Sequence, residues 1–408
     1  MPFHINSENL SFDLPQGLIA QGPLLLRSEA KLMVLDRGNE SLVHKKFSDL
    51  PNFLKKGDVL VLNKTRVNPT KFFGRKKTGG RVEIIFVEEN IGQGSWKALI
   101  RPEIQPGAVI GLSLGGEIEV LGRFSTGEYE IMARGMDVRK VSLERGLMPL
   151  PPYIRRSETD PRNTRDLEDY QTVFGEVPGS IAAPTAALHF TADLLKILEN
   201  QGVEIISTIL HIGWGTFKPV AGTIQTHQML PEKFEIETDH LRRLYTAKGE
   251  GRRIVAVGTT VTRVLESLPS NCVIPADSVI PECLNRESMD RVTVPSNKVN
   301  NAGTVPKAFD GTERSRRLFE LSKRDSCFRR NDGVRGNDGL KGETNLFIKP
   351  GYKFHWLGGL VTNFHVPKST PIALTAAFSG LEFLTRAYAE AIAKEYRFFS
   401  YGDAMLIL

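Results

Sequence analysis

Four short stretches of this chain set a histidine or a pair of threonines beside glycine, alanine or asparagine. VPGSIAAPTAALHF ends just past His189, His211 opens HIGWGTF, Gly258-Thr259-Thr260 follows the apolar run RIVAV, and Asn363-Phe364-His365 follows GLVT. Imidazole titrates near neutral pH and serves as general acid or base. Small neighbours let a ligand approach the backbone closely, and glycine adds dihedral freedom. A strand, a Gly-Thr-Thr turn and a helix start make a site for an anion, a carboxylate or a ribose. The spacing is not that of a P-loop or a GxGxxG loop. Neither metal-ligand spacing nor a G-x-S-x-G elbow occurs. Each stretch alone also fits a bland role: AAPTAAL serves equally as a packed crossover, with His189 hydrogen-bonded in the core. Jointly they point to one site of an α/β enzyme, and the residues alone do not name its chemistry.

The elements that must position these groups read as an α/β fold. Lys31 to Leu35 is a strand, Arg37-Gly38-Asn39 a turn and Ser41 to Phe47 a return strand. Ser48 or Asp49 caps a short helix that stops at Gly57. Asp58 to Leu62 (DVLVL) is a fully buried strand that delivers Asn63-Lys64-Thr65-Arg66 at its carboxyl end. Val203 to Leu210 ends at His211, and Arg253 to Val257 ends at the Gly-Thr-Thr turn. Val177 to Ser180 reads as a turn, and Thr191 as the N-cap of a helix closed by Gly202. After Thr344, NLFIKP is a strand with a second one beyond a Pro-Gly turn, Ser369-Thr370-Pro371 starts a pair of helices over 371–395, and the chain ends in an apolar strand. Carboxyl ends of strands are where such folds place ligands.

Two segments interrupt that pattern. Residues 68–147 are short alternating strands between Gly-rich turns, which predicts a small closed β-barrel inserted into the main fold. Its approach carries Lys71, Arg75, Lys76, Lys77 and Arg81 beside Phe72 and Phe73, a phosphate-contacting rim or a solvated loop. Residues 270–343 show no sustained periodicity and predict a disordered or loosely packed polar insertion. The α/β part is then 1–67, 148–269 and 344–408. The 408 residues carry a formal charge of +6 and a pI near 9.1, compatible with a polyanionic partner. Three cysteines without metal or CxxC spacing, no leader and no membrane-length apolar run predict a cytoplasmic protein. No apolar stripe is left over for self-association, so a monomer is expected.

NKTRV at 63–67, MPLPPYI at 148–154, YQTVF and AAPTAALHF within 170–190, HIGWGTF at 211–217, VGTT with Arg263 and LES at 257–267, LVTNFH at 360–365 and RFFSYGDAM at 397–405 stand in that order. Together they resemble the signature blocks of the S-adenosylmethionine:tRNA ribosyltransferase-isomerases of the queuosine pathway. The resemblance implies a two-part fold, a larger α/β barrel-like domain with a small closed β-barrel inserted. It implies S-adenosylmethionine as cosubstrate, no metal or other cofactor, and as partner a tRNA carrying 7-aminomethyl-7-deazaguanine at the wobble position. The ribosyl group is moved to the aminomethyl nitrogen and isomerised, giving epoxyqueuosine with release of adenine and methionine. Removal of a ribose C5′ proton beside the sulfonium starts that reaction.

On this resemblance the acid–base candidates are His189 and His211, then His365. Arg66 and Arg263 are expected on the methionine carboxylate or a phosphate, Thr259 and Thr260 on ribose or carboxylate, and Asp403 on a ribose hydroxyl or the amine. Asn63, Thr185, Thr216, Asn363 and Tyr401 complete the expected substrate set, and the basic cluster the tRNA contacts. The chain departs from the family at Ala187, where glycine is expected, at Leu230, where a second histidine is usual, and in GTTVTR. Another RNA-modifying transferase, or a silent tRNA-binding homologue, are the competing readings.

Overall fold

A computed structural model of the chain describes residues 7–217, 224, 227–270, 326–329 and 339–408. Strands β1 (Lys31–Asp36) and β2 (Ser41–Lys46) form the predicted hairpin. Phe47–Phe53 is a 3₁₀ turn, capped by Asp49, whose carboxylate accepts the Lys46 N–H. Pro51 within it has no N–H to carry a longer α-helix. β3 (Val59–Asn63) and β4 (Thr65–Val67) follow.

The chain then forms a closed six-stranded barrel. Its strands are β5 (Lys71–Lys76), β6 (Arg81–Asn90), β7 (Ser95–Arg101), β8 (Val109–Leu112), β9 (Glu117–Arg123) and β10 (Tyr129–Arg134). The inward residues of their alternating pattern, among them Phe72, Ile84, Phe86, Ile118 and Ile131, make a core of their own. Helix α1 (Val138–Arg145) leads out, and Lys71 and Leu147 bridge entry to exit.

The larger part begins again with α2 (Asn163–Asp169), β11 (Val177–Ser180), α3 (Ala192–Asn200) and β12 (Glu204–Leu210). β13 (Glu232–Ile236), α4 (Thr238–Gly249), β14 (Ile254–Val257) and α5 (Gly258–Ser267) come next. β15 (Ser326–Arg329), β16 (Leu340–Thr344), β17 (Gly359–Asn363), α6 (Thr370–Ser379), α7 (Leu381–Ala393) and β18 (Ala404–Ile407) complete it. Ten of these strands form one mixed sheet, β15-β16-β13-β12-β3-β14-β17-β18-β1-β2, so the barrel-like character expected of this part takes the form of a wide sheet.

Alternate side chains of the central strands enter two different cores. Val59 and Val61 of β3 face one with Ile254 and Ala256 of β14, while Leu60 and Leu62 face the other with Val255 and Val257. Burial on both faces is why DVLVL and RIVAV read as unbroken apolar runs. β12, β3, β14 and β17 run parallel to one another, which brings their carboxyl ends to one side of the sheet.

Two local readings change. Val177–Ser180 is a strand, not a turn: it pairs in parallel with β4, an outer position where Pro178 loses no needed N–H. NLFIKP carries no strand; the strand lies earlier, at β16, whose ladder to β13 no side-chain alternation in LKGET announces. Most of the segment 270–343 lies outside the described residues; β15 and the start of β16 fall inside it.

Candidate active site

The carboxyl ends of β14 and β17 open into a cavity of 290 Å³. Its walls come from stretches far apart in sequence: Pro152 and Tyr153, Tyr170, Ala182 to Ala186, Gly258 to Thr260, Thr362 to Pro367, and Phe399 with Ser400. Most of the lining is apolar, with a few polar groups converging, as in small-molecule sites. Helix α5 starts at Gly258, which has φ +89, and α6 starts beside Ser369, so two helix N-termini border the cavity. Phe399 holds φ +71, a conformation uncommon outside glycine, and its N–H donates to the Phe364 carbonyl.

Five of the expected residues line this cavity: Thr185, Thr259, Thr260, Asn363 and His365. Asn363 Oδ1 and Thr260 Oγ1 are buried without a hydrogen-bond partner. A buried polar atom left unpaired costs about 1–3 kcal/mol, so both suit a polar ligand atom. His365 Nε2 lies 2.6 Å from Thr362 Oγ1, and burial pushes its imidazole down to about 3.

His189 and Asp403 stand behind the wall instead. His189 Nε2 is 3.3 Å from Asn363 Nδ2, and the Asp403 carbonyl lies 3.4 Å from the same amide nitrogen. Burial, with Arg397 and Arg27 near, pushes His189 down to about 4, so it is neutral at neutral pH. The Asp403 carboxylate accepts the N–H groups of Lys31 at 2.9 Å and Arg397 at 2.7 Å, and burial raises its pKa. Its geometry is that of a turn-holding residue. Tyr401 is buried next to Asp166, and burial raises its phenol as well.

His211 lies in a neighbouring groove of 690 Å³ between the barrel and the large sheet, where Ile212 forms a wall common to groove and cavity. Phe124, Glu88 and Lys97 of the barrel face Trp214, Leu230 and Lys233 across it. Leu230 packs against Gly215, where a Cβ would come within 3.2 Å of it. Ala187 is fully buried below the site, its methyl in the sheet's second core.

Four expected contacts have other occupations. Asn63 receives the Leu210 N–H, donates to the Leu210 carbonyl and receives the Thr65 N–H, which ties β3 to β12. Arg263 forms a buried ion pair with Glu232 and donates to the carbonyls of Leu346 and Thr344. Arg66 is exposed, 3.4 Å from the Gly175 carbonyl. Thr216 belongs to the 3₁₀ turn Trp214–Phe217. The basic cluster is likewise divided. Lys71 is buried on Glu83 and Arg81 reaches Glu158, whereas Arg75 and Lys77 are exposed around the hairpin tip.

Sequence reading passed over Tyr153, Tyr170, Thr362, Ser400, Thr65 and Ser180. Tyr153 donates to or accepts from Ser400 Oγ at 2.6 Å, and burial pushes its phenol up to about 12. All six lie in or beside the blocks already singled out, so block membership was the available signal. Among the described residues no group of three His, Cys, Asp or Glu side chains could hold a metal ion, and no helix is long and apolar enough to cross a membrane.

A wide α/β sheet with a cavity at its strand ends and a closed barrel across a groove together define a two-part α/β protein with a candidate small-molecule site. The model of the queuosine biosynthesis protein family matches residues 7–305 and 308–407, and the chain belongs to that family. It is 35% identical to the S-adenosylmethionine:tRNA ribosyltransferase-isomerase of Aquifex aeolicus, over 98% of this chain and 99% of that protein. The enzyme of the same name from Halothermothrix orenii is 37% identical over equal shares. A crystal structure of S-adenosylmethionine tRNA ribosyltransferase from Thermotoga maritima aligns with 98% of this chain and all of that one, at 27% identity and a TM-score of 0.46.

Proposed function

We propose that this chain is an S-adenosylmethionine:tRNA ribosyltransferase-isomerase, acting on a tRNA whose wobble base carries an aminomethyl group and producing epoxyqueuosine, adenine and methionine. The observation that carries this reading is the meeting of the family's sequence blocks at one cavity, with Asn363 Oδ1 and Thr260 Oγ1 unpaired at its wall. S-adenosylmethionine occupies the cavity as cosubstrate. Its carboxylate lies toward the N-termini of α5 and α6, where backbone N–H groups favour negative charge. Asn363 Oδ1 accepts from a ribose hydroxyl or the ammonium, and Thr260 donates. His365 is the histidine that touches the ribose, and burial keeps its imidazole unprotonated. The positive sulfur stabilises the carbanion formed at C5′, so the chain supplies position and a proton acceptor and no other cofactor.

On this reading residues 68–147 are a distinct inserted domain, the tRNA lies along the groove, and Arg75, Lys76 and Lys77 contact its phosphates. The protein works as a cytoplasmic monomer. Incubating it with S-adenosylmethionine and an anticodon stem-loop bearing the aminomethyl base tests the whole reading. The expected result is an RNA mass gain equal to the epoxycyclopentanediol group with adenine released in step. RNA binding without either product would favour the silent tRNA-binding homologue instead.

A further inference from the structure

A short hydrogen-bonded chain runs behind His211. The Ile212 N–H donates to Ser180 Oγ at 2.9 Å; Ser180 Oγ lies 2.7 Å from Thr65 Oγ1, and Thr65 Oγ1 lies 3.1 Å from His211 Nδ1. Ser180 and Thr65 are 0% and 1% exposed, so no solvent completes their bonding. A backbone N–H cannot turn into an acceptor, which fixes the direction at this end. Ser180 accepts there, and since Thr65 Oγ1 is the one acceptor among the described residues within reach of its own proton, Ser180 donates to Thr65.

Thr65 must then place one proton, either on His211 Nδ1 at 3.1 Å or on the Val177 carbonyl at 3.4 Å. The shorter contact wins, because 3.4 Å lies well outside the usual range of about 2.5–3.0 Å for hydroxyl-to-carbonyl bonds while 3.1 Å lies close to normal hydrogen-bond length. A chain in which every hydroxyl both accepts and donates in one sense also strengthens each link. Nδ1 is therefore the acceptor nitrogen, and the ring proton sits on Nε2. Among the described residues Nε2 has no hydrogen-bond partner, and His211 lines the groove. Room for the ring comes from Gly179, where a Cβ would stand 2.6 Å from the imidazole.

We propose that His211 is a fixed, neutral hydrogen-bond donor that presents Nε2–H to an acceptor atom of the RNA base in the groove, and that Thr65 and Ser180 are positioning residues that set this tautomer. The proposal rests on the functional reading above for the identity of the base. It excludes His211 as ground-state proton acceptor, since its basic nitrogen is engaged by Thr65. Its burial lowers the pKa, in keeping with a neutral ring.

The test begins without turnover. In full-length protein labelled with ¹⁵N-histidine near neutral pH, the His211 Nε2 resonance should be that of a protonated nitrogen and Nδ1 that of an unprotonated acceptor. Thr65→Val should mix or invert the tautomers and Thr65→Ser should restore them. A protonated Nδ1 in the wild type overturns the proposal. Turnover supplies the second arm: His211→Gln, which keeps an N–H at that reach, should retain about ten-fold more kcat/KM for the RNA than His211→Ala, the worth of one hydrogen bond. Equal losses overturn the donor role. A wild type with the expected tautomer but no product supports the relay and counts against the functional reading instead.

Discussion

At the scale of single residues, type alone told which groups could do chemistry and not which way they face. His189, His211 and His365 all stand at strand or block ends, yet one lies behind the wall, one in the groove and one in the cavity. Asn63 and Arg263 looked like ligand groups because their blocks do, but their polar atoms are used between β3 and β12 and between α5 and β13. Such pairing depends on what tertiary contact brings near, which local spacing does not encode. Asn363 gives the sharpest residue-level test. Asn363→Ala should weaken S-adenosylmethionine binding by about 1–3 kcal/mol, measured by titration calorimetry, and should also lower the melting temperature, because the Nδ2 contacts to His189 and the Asp403 carbonyl are lost along with the orphaned Oδ1. The buried histidines make a second test. His189 and His365 fall to about 4 and about 3 from 6.5, so below pH 6.5 the unfolded chain binds protons that the folded one refuses. Their contribution is complete above pH 6.5 and is lost as the pH falls toward 4 and 3. The melting temperature should drop over that window, and His189→Asn with His365→Asn should flatten the drop; an unchanged slope would contradict the burial argument.

At the scale of elements, the reading worked where periodicity was strong and failed where a neighbour decides. β1, β2, β3, β12 and β14, the barrel strands β6, β7, β9 and β10 and the Thr191 cap lie where the pattern put them, with Thr191 Oγ1 accepting the Leu194 N–H at 3.2 Å, whereas β5 and β8 did not read as strands. β11 and β16 did not announce themselves, since each is a strand only through its partner. The barrel's junction is one place where an element-level change should be felt. Gly146 ends α1 at the point where the exit strand passes the entry, and a Cβ there would overlap the Pro69 carbonyl. Gly146→Ala should cost about 1–3 kcal/mol in urea unfolding by forcing the two segments apart. The Arg263–Glu232 pair is a second. Arg263→Ala breaks a buried ion pair and should cost about 3–5 kcal/mol, whereas Arg263→Met with Glu232→Gln should recover much of the loss. If Arg263→Ala instead left stability intact and abolished substrate binding, the ligand role expected from sequence would be restored.

For the whole molecule, sequence order conveyed the inserted barrel but not the joining of barrel and sheet across a groove. Strand order places β18 and β1 between β17 and β2, and the chain interval between such neighbours carries no signal of their adjacency. The same holds for cavity and groove, which meet only because Ile212 follows His211 out of β12 and walls both. Under the proposed function that arrangement separates the two substrates: the small molecule fits the cavity, whose lining includes no barrel residue, and the RNA base approaches along the groove between Phe124 and Trp214. Phe124 is 38% exposed at the barrel's edge, although large aromatic side chains ordinarily bury. Stacking a base on such a ring is worth about 1–3 kcal/mol. Phe124→Ala should therefore raise KM for the stem-loop by about 5- to 150-fold and leave the S-adenosylmethionine dissociation constant within two-fold of wild type, the first from initial rates and the second from calorimetry. Equal losses for both substrates would mean that barrel and cavity act as one binding unit. No loss for either would remove the barrel's edge from the path of the RNA.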